Sequence, residues 1–354
     1  MDIKENVDLK DYSTMRLGGK ARYLAEANSE QELVALVDWA ASRSVSFLIV
    51  GGGSNIIWKD EGFNGLVIVN KILGREVVAE NETSATIHVG AGEIWDEVVA
   101  WSVDKNLSGI EFLSAIPGKS GAAPVQNIGA YGAEIADTLT EVSLYDTKEK
   151  SFGSMAAGTC GFGYRTSRFK TTDKKRFLIT SLTLKLKKSS PSPPFYESLQ
   201  IYFDEHPVSN FTPATIRQAV IAIRALKLPD PKLVANNGSF FTNPIVPNDQ
   251  FESLKAKYPE IKGWPTKDGR VKVAAGWLVE QAGFRGIHDQ ETGMATNPAQ
   301  ALVLINEHAR STADLLKFKQ KIVDKVQEMF GITIEQEPEL LPWEEVRHSY
   351  VSRL

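Results

Sequence analysis

Residues 116–132 run Ile116-Pro117-Gly118-Lys119-Ser120-Gly121-Ala122-Ala123-Pro124-Val125-Gln126-Asn127-Ile128-Gly129-Ala130-Tyr131-Gly132, 17 consecutive positions dominated by small side chains. Such a run of glycine and proline excludes a continuous helix, so the segment is an ordered loop. Its glycines let the backbone pack close against a neighbour. A diphosphate is one such neighbour, because it accepts many hydrogen bonds and needs donors without steric bulk. An earlier turn, Gly51-Gly52-Gly53-Ser54-Asn55, ends the apolar run Ser46 to Val50. Its consecutive N–H groups can curl around an anion, with Ser54 and Asn55 adding side-chain donors. A plain turn between two elements explains it equally well.

Strand and helix signals alternate around these loops. Ser29 followed by Glu32 is a capping box, and Leu33, Leu36, Val37 and Ala40 follow at helical spacing. Gly65–Asn70, Ala85–Val89, Glu141–Tyr145 and Arg176–Lys188 read as strands, and Trp95, Val98, Val99 and Val103 as one helix face. Pro191, Pro193 and Pro194 mark a surface loop ending at Tyr196. Thr212 and Pro213 then open a helix that Pro229 and Pro231 close. Ser311, Asp314 and Gly331 bracket a last long helix, with strands expected at Gln300–Asn306 and Ile332–Glu337. A chain of 354 residues exceeds one small core. The expected division is 1–70, 71–208 and 209–354.

Several chemistries are excluded. Gly118-Lys119-Ser120 lacks the glycine a P-loop requires at position 113, which is leucine. Neither glycine turn, nor Gly90-Ala91-Gly92, carries the third glycine of a dinucleotide Rossmann fingerprint. The five histidines are scattered and Cys160 stands alone, so no protein-ligated metal is expected. A net charge of −4 argues against nucleic acid as a partner. The absence of a long apolar stretch or an apolar leader points to a cytoplasmic chain with no membrane partner.

Two such turns in an α+β arrangement resemble the two-lobed FAD-binding module of the p-cresol methylhydroxylase and vanillyl-alcohol oxidase type. Further motifs narrow the resemblance: Gly161-Phe162-Gly163-Tyr164-Arg165, Lys227-Leu228-Pro229-Asp230-Pro231, Asn237-Gly238-Ser239-Phe240-Phe241, Asn243-Pro244 and Ala274-Ala275-Gly276-Trp277-Leu278. Their order over residues 13–337 is similar to that of the UDP-N-acetylenolpyruvoylglucosamine reductase family, in its longer form with a tyrosine-bearing loop.

The resemblance implies an FAD module followed by a C-terminal α+β substrate domain. It implies non-covalent FAD, since no histidine lies in either glycine turn, and NADPH as reductant. Reduced flavin would pass a hydride from N5 to the enolpyruvyl group of a UDP-sugar. Arg165 would hold the substrate carboxylate, a role that suits a planar guanidinium. Ser239 would protonate the α-carbon. A carboxylic acid near the C-terminus would stabilise the enolate; counting without a gap from Phe330 gives Glu337, with Glu339 as the alternative. Gly51, Gly52, Gly53, Ser54, Asn55, Pro117, Gly118, Gly121, Gln126, Asn127, Gly129, Ala130 and Tyr131 would hold the flavin. Tyr164, Tyr196, Lys227 and Asn243 would bind substrate, and the enzyme is expected to act as a monomer.

Overall fold

A computed structural model describes residues 1–343. The first sheet orders its strands Lys4–Asp8, Lys20–Ala27, Phe63–Asn70 and Phe47–Val50; the first pair is antiparallel and the others parallel. Helix Glu30–Ser42 covers it, because its apolar positions fall on one face and bury Leu33, Leu36 and Ala40 against Leu66 and Ile68. Ser29 Oγ accepts the Glu32 N–H at 3.1 Å, which satisfies an otherwise unpaired donor of the first turn.

The second sheet is antiparallel, in the order Ser151–Ala156, Leu139–Asp146, Phe177–Lys187, Ser84–Gly90 and Arg75–Glu80. Alternation along Phe177–Lys187 turns Leu182, Leu184 and Leu186 into a core shared with helix Trp95–Asp104 and the buried Cys160. Burial pushes the Cys160 thiol up to about 11.

A third sheet, Asn236–Ser239, Val303–Asn306, Met294–Thr296 and His288–Asp289, packs with a smaller one of Ile245–Val246, Val271–Val273 and Gly263–Pro265. Helix Thr312–Phe330 lies against them, with a Ser311–Asp314 capping box and Gly331 left-handed at φ 65°. This core also takes in Met15, Leu17 and Ile57 from the N-terminal part of the chain.

One expectation is corrected. Residues 332–337 form no strand: their pairing with residues 240–242 amounts to one isolated bridge, Phe241 with Gln336. Pro338 has no N–H to extend that pairing, and the strand forms instead at Glu339–Leu341, parallel to Ile56–Trp58. Helix Pro213–Lys227 is capped by Thr212 as expected, and its apolar face packs on helix Glu197–Glu205, Phe112 and Tyr131. No helix among the described residues is long and apolar enough to cross a membrane.

Candidate active site

Both glycine turns face each other across one cleft of about 1450 Å³, counting its open mouth. A Cβ added at Gly52 would stand 3.1 Å from Gly118 Cα, and one at Gly51 would stand 3.0 Å from Lys119 Cβ, so side chains there would force the turns apart. Ser54 Oγ donates to the Pro117 carbonyl at 2.9 Å, and Asn55 Nδ2 to Gln126 Oε1 at 2.5 Å. These two side chains latch one turn to the other, which leaves backbone N–H groups for a ligand.

Gly51 to Asn55, Pro117, Gly118, Gly121 and Gln126 line the cleft. Asn127, Gly129, Ala130 and Tyr131 do not belong to its wall. Asn127 is buried as a tie, donating to Glu134 Oε2 at 2.6 Å and to the Gly163 carbonyl at 3.2 Å. Gly129 offers its carbonyl to Arg165, and Tyr131 packs edge-on to Tyr196 at 6.2 Å. Their stretch therefore leads from the cleft toward the arginine. Sequence reading missed Asn70, Trp95, Phe177 to Ile179, Leu341 and Trp343 in the wall. Strand and tail residues of that kind carry no local signal, because only the fold brings them to the cleft.

Arg165 sits in a tight turn at φ 54°, where Gly163 and Thr166 pair. A non-glycine residue in that region is uncommon, and here it aims the side chain inward. Its guanidinium donates to the Gly129 carbonyl at 2.9 Å, and its Nε lies 3.3 Å from Glu337 Oε1. That Nε is buried without a hydrogen bond of its own. Burial holds the Glu337 carboxyl above the usual carboxylate range, opposed by the charges of Arg165 and Lys170.

Backbone pairing sets the acid and the serine on adjacent segments. The Glu337 N–H donates to the Phe240 carbonyl at 2.8 Å, and the Thr242 N–H to the Glu335 carbonyl at 2.9 Å. Residues 335–337 thus lie beside 240–242, with Ser239 immediately before Phe240. Glu335 is exposed whereas the Glu337 side chain keeps only 13 % of its surface, so the two acids do not share one environment. Glu339 faces elsewhere, 3.0 Å from Lys174 Nζ.

Tyr164 Oη accepts the Asn243 N–H at 3.4 Å, while Asn243 Oδ1 accepts the Ala275 N–H at 2.9 Å and anchors helix Ala275–Gln281. Lys272 Nζ stands 4.6 Å from the Tyr164 ring centre. Burial raises the Tyr164 hydroxyl, opposed by Arg165. Lys227 is exposed at its helix end, and Tyr196 is 45 % exposed. Arg224, almost one turn before Lys227, feels the charges of Asp96 and Arg165, and burial lowers its pKa. Lys272 and Arg224 were not singled out from sequence. Arg224 follows Val220 by four residues, so its place beside the apolar stripe was the available signal.

Residues 21–150 match the family model described as an FAD binding domain. Residues 230–341 match the C-terminal domain of UDP-N-acetylenolpyruvoylglucosamine reductase. The chain is 38 % identical to a UDP-N-acetylenolpyruvoylglucosamine reductase of Polynucleobacter asymbioticus over 96 % of both chains. It is 36 % identical to that of Pseudomonas aeruginosa over 96 % of this chain and 99 % of the relative. A crystal structure of the reductase from Thermus caldophilus, 23 % identical, covers 97 % of this chain at a TM-score of 0.67, a likeness of fold.

Proposed function

Because this chain belongs to the UDP-N-acetylenolpyruvoylglucosamine reductase family, we propose that it reduces the enolpyruvyl ether of UDP-N-acetylglucosamine enolpyruvate to UDP-N-acetylmuramate. NADPH is the reductant, FAD is the bound carrier, and the product is a peptidoglycan precursor. The enzyme works as a cytoplasmic monomer. Residues 1–70 and 71–208 form two flavin lobes and 209–354 the substrate-binding part.

The observation that carries this reading is the half-buried Arg165–Glu337 pair, with Glu337 on the segment that pairs beside Ser239. The cleft fits FAD: it is lined by Gly51, Gly52 and Gly118, whose close approach leaves backbone donors uncovered. When bound there, FAD supplies hydride transfer between nicotinamide and substrate. The protein's own residues handle charge and protons. Arg165 offers a fixed cation to the substrate carboxylate, with its orientation set by the Gly129 carbonyl. Glu337, held toward its neutral form, can donate a hydrogen bond to the developing enolate where an ionised acid would repel it. The Ser239 hydroxyl delivers the proton to the α-carbon, a transfer an enolate-like carbanion makes favourable. Lys272 and Arg224 add positive charge on the substrate side, which suits a diphosphate.

An anaerobic visible spectrum tests the whole scheme. NADPH should bleach a flavin band, and the enolpyruvyl UDP-sugar should restore it. Bleaching without recovery would remove the substrate from the reading; no flavin band after adding FAD would remove the flavin enzyme itself.

A further inference from the structure

Beyond Glu337 the chain crosses back to the flavin turns. Strand Glu339–Leu341 adds in parallel to Ile56–Trp58, directly after the first turn. The Glu339 N–H donates to the Asn55 carbonyl at 3.0 Å, and the Lys59 N–H to the Leu341 carbonyl at 2.7 Å. Asn55 spends its side-chain amide on Gln126 of the second turn. Three segments far apart in sequence thus form one continuous wall, and Glu339, Leu341 and Trp343 all line the cleft.

Trp343 is fixed on two sides. Its indole N–H donates to Glu339 Oε2 at 2.6 Å. Lys174 Nζ binds the same oxygen at 3.0 Å and stands 4.2 Å from the ring centre. Lys175, itself in the cleft wall, lies 5.2 Å from that ring and holds φ 70°, a left-handed conformation rare for lysine. Trp343 also packs on the apolar core that holds Leu48, Val50 and Leu341, but that contact alone accounts for neither the carboxylate nor the two cations around its indole. An aromatic side chain held rigid at the edge of an open cleft, with ammonium groups beside it, suits a planar ring carried on an anionic diphosphate. Strained backbone beside a ligand is where such a clamp is found.

We propose that Glu339–Trp343 is a strap that completes the flavin site, with Trp343 contacting a planar ring of the cofactor and the Lys174–Glu339 pair latching the indole in place. This rests on the reading that FAD occupies the cleft. It also gives Glu339 a task separate from that of Glu337.

The test uses the full chain stripped of flavin and titrated with FAD by fluorescence, alongside the melting temperature of the apoprotein. Trp343→Ala should weaken FAD binding by about tenfold, or ~1.4 kcal/mol, and Trp343→Phe should restore most of it. Lys174→Met should weaken binding by a smaller factor and Lys174→Arg should recover it. Apoprotein melting should move little in all four. The strap is overturned if wild type binds FAD and Trp343→Ala binds it within twofold as tightly. It is also overturned if affinity and apoprotein stability fall together and Trp343→Phe rescues neither, since the indole would then be only structural. Failure of wild type to take up FAD overturns the underlying reading instead, so the two failures are distinguishable.

Discussion

Glu337 carries two opposing influences: burial favours its neutral form, while Arg165 and then Lys170 favour the carboxylate. Burial is the larger, so its pKa in the folded chain exceeds the ordinary value. The folded protein then holds this proton more tightly than the unfolded one. Stability from this group is full below the ordinary glutamate pKa and is lost as pH rises through the raised one. Glu337→Gln cannot ionise and removes that loss. Melting curves between pH 4 and 8 should therefore show the variant gaining on wild type as pH rises; a constant difference would contradict a raised pKa. In stopped flow the same variant should leave NADPH-driven flavin bleaching nearly intact and slow recovery with substrate by about 100-fold or more. The same defect in Glu339→Gln instead would move the acid two residues on. The choice between these acids was open in sequence, where both fit a tail of alternating charges. In space a guanidinium 172 positions away in the chain stands 3.3 Å from Glu337, which favours that acid.

At the scale of elements, what could be read locally was what local chemistry determines. Thr212 before Pro213, and Ser311 three residues before Asp314, cap helices where their spacing said they would. The two glycine turns were legible because few other backbones need so many small residues. The strand Glu339–Leu341 was not legible, since its partner Ile56–Trp58 lies almost a chain length away. Neighbouring glycines in the first turn do different work, and this separates two outcomes. At Gly53, φ is 70° and a Cβ would fall 2.2 Å from the Tyr12 carbonyl oxygen, so Gly53→Ala strains the fold itself. At Gly52 the conformation is ordinary and the obstacle is Gly118 across the cleft, at 3.1 Å. Overpacking of this kind costs about 1–3 kcal/mol. Gly52→Ala should thus weaken FAD binding by about tenfold, by spreading the two turns, and lower apoprotein melting less than Gly53→Ala does. Equal stability losses in both would show that the Gly52 approach serves folding, not the cofactor.

The whole molecule closes on itself through its two ends. Met15, Leu17 and Ile57 lie in one core with Phe318, Ile322 and Val326 of the last helix. Polar ties reinforce that contact: the Asn237 side chain donates to Thr14 Oγ1 at 3.0 Å and to the Ser54 carbonyl at 3.1 Å. Asp60 accepts the Thr312 N–H at 2.6 Å and the Ala313 N–H at 2.9 Å. The first helix turn of the C-terminal part is thereby satisfied by a carboxylate from the first sheet region, where negative charge also favours the helix dipole. A core built from both ends cannot lose one end and keep the other, so these parts should unfold together although nearly 300 residues separate them in sequence. Asp60→Ala removes the acceptor without opening a cavity. It should cost about 1–2 kcal/mol, the range of a lost helix cap, and lower the melting temperature of that shared transition by a few degrees. Calorimetry decides the matter: one transition shifted as a unit supports a single cooperative body, whereas a C-terminal transition that splits away from the first would show that the contact between the ends is a docking surface between independent domains.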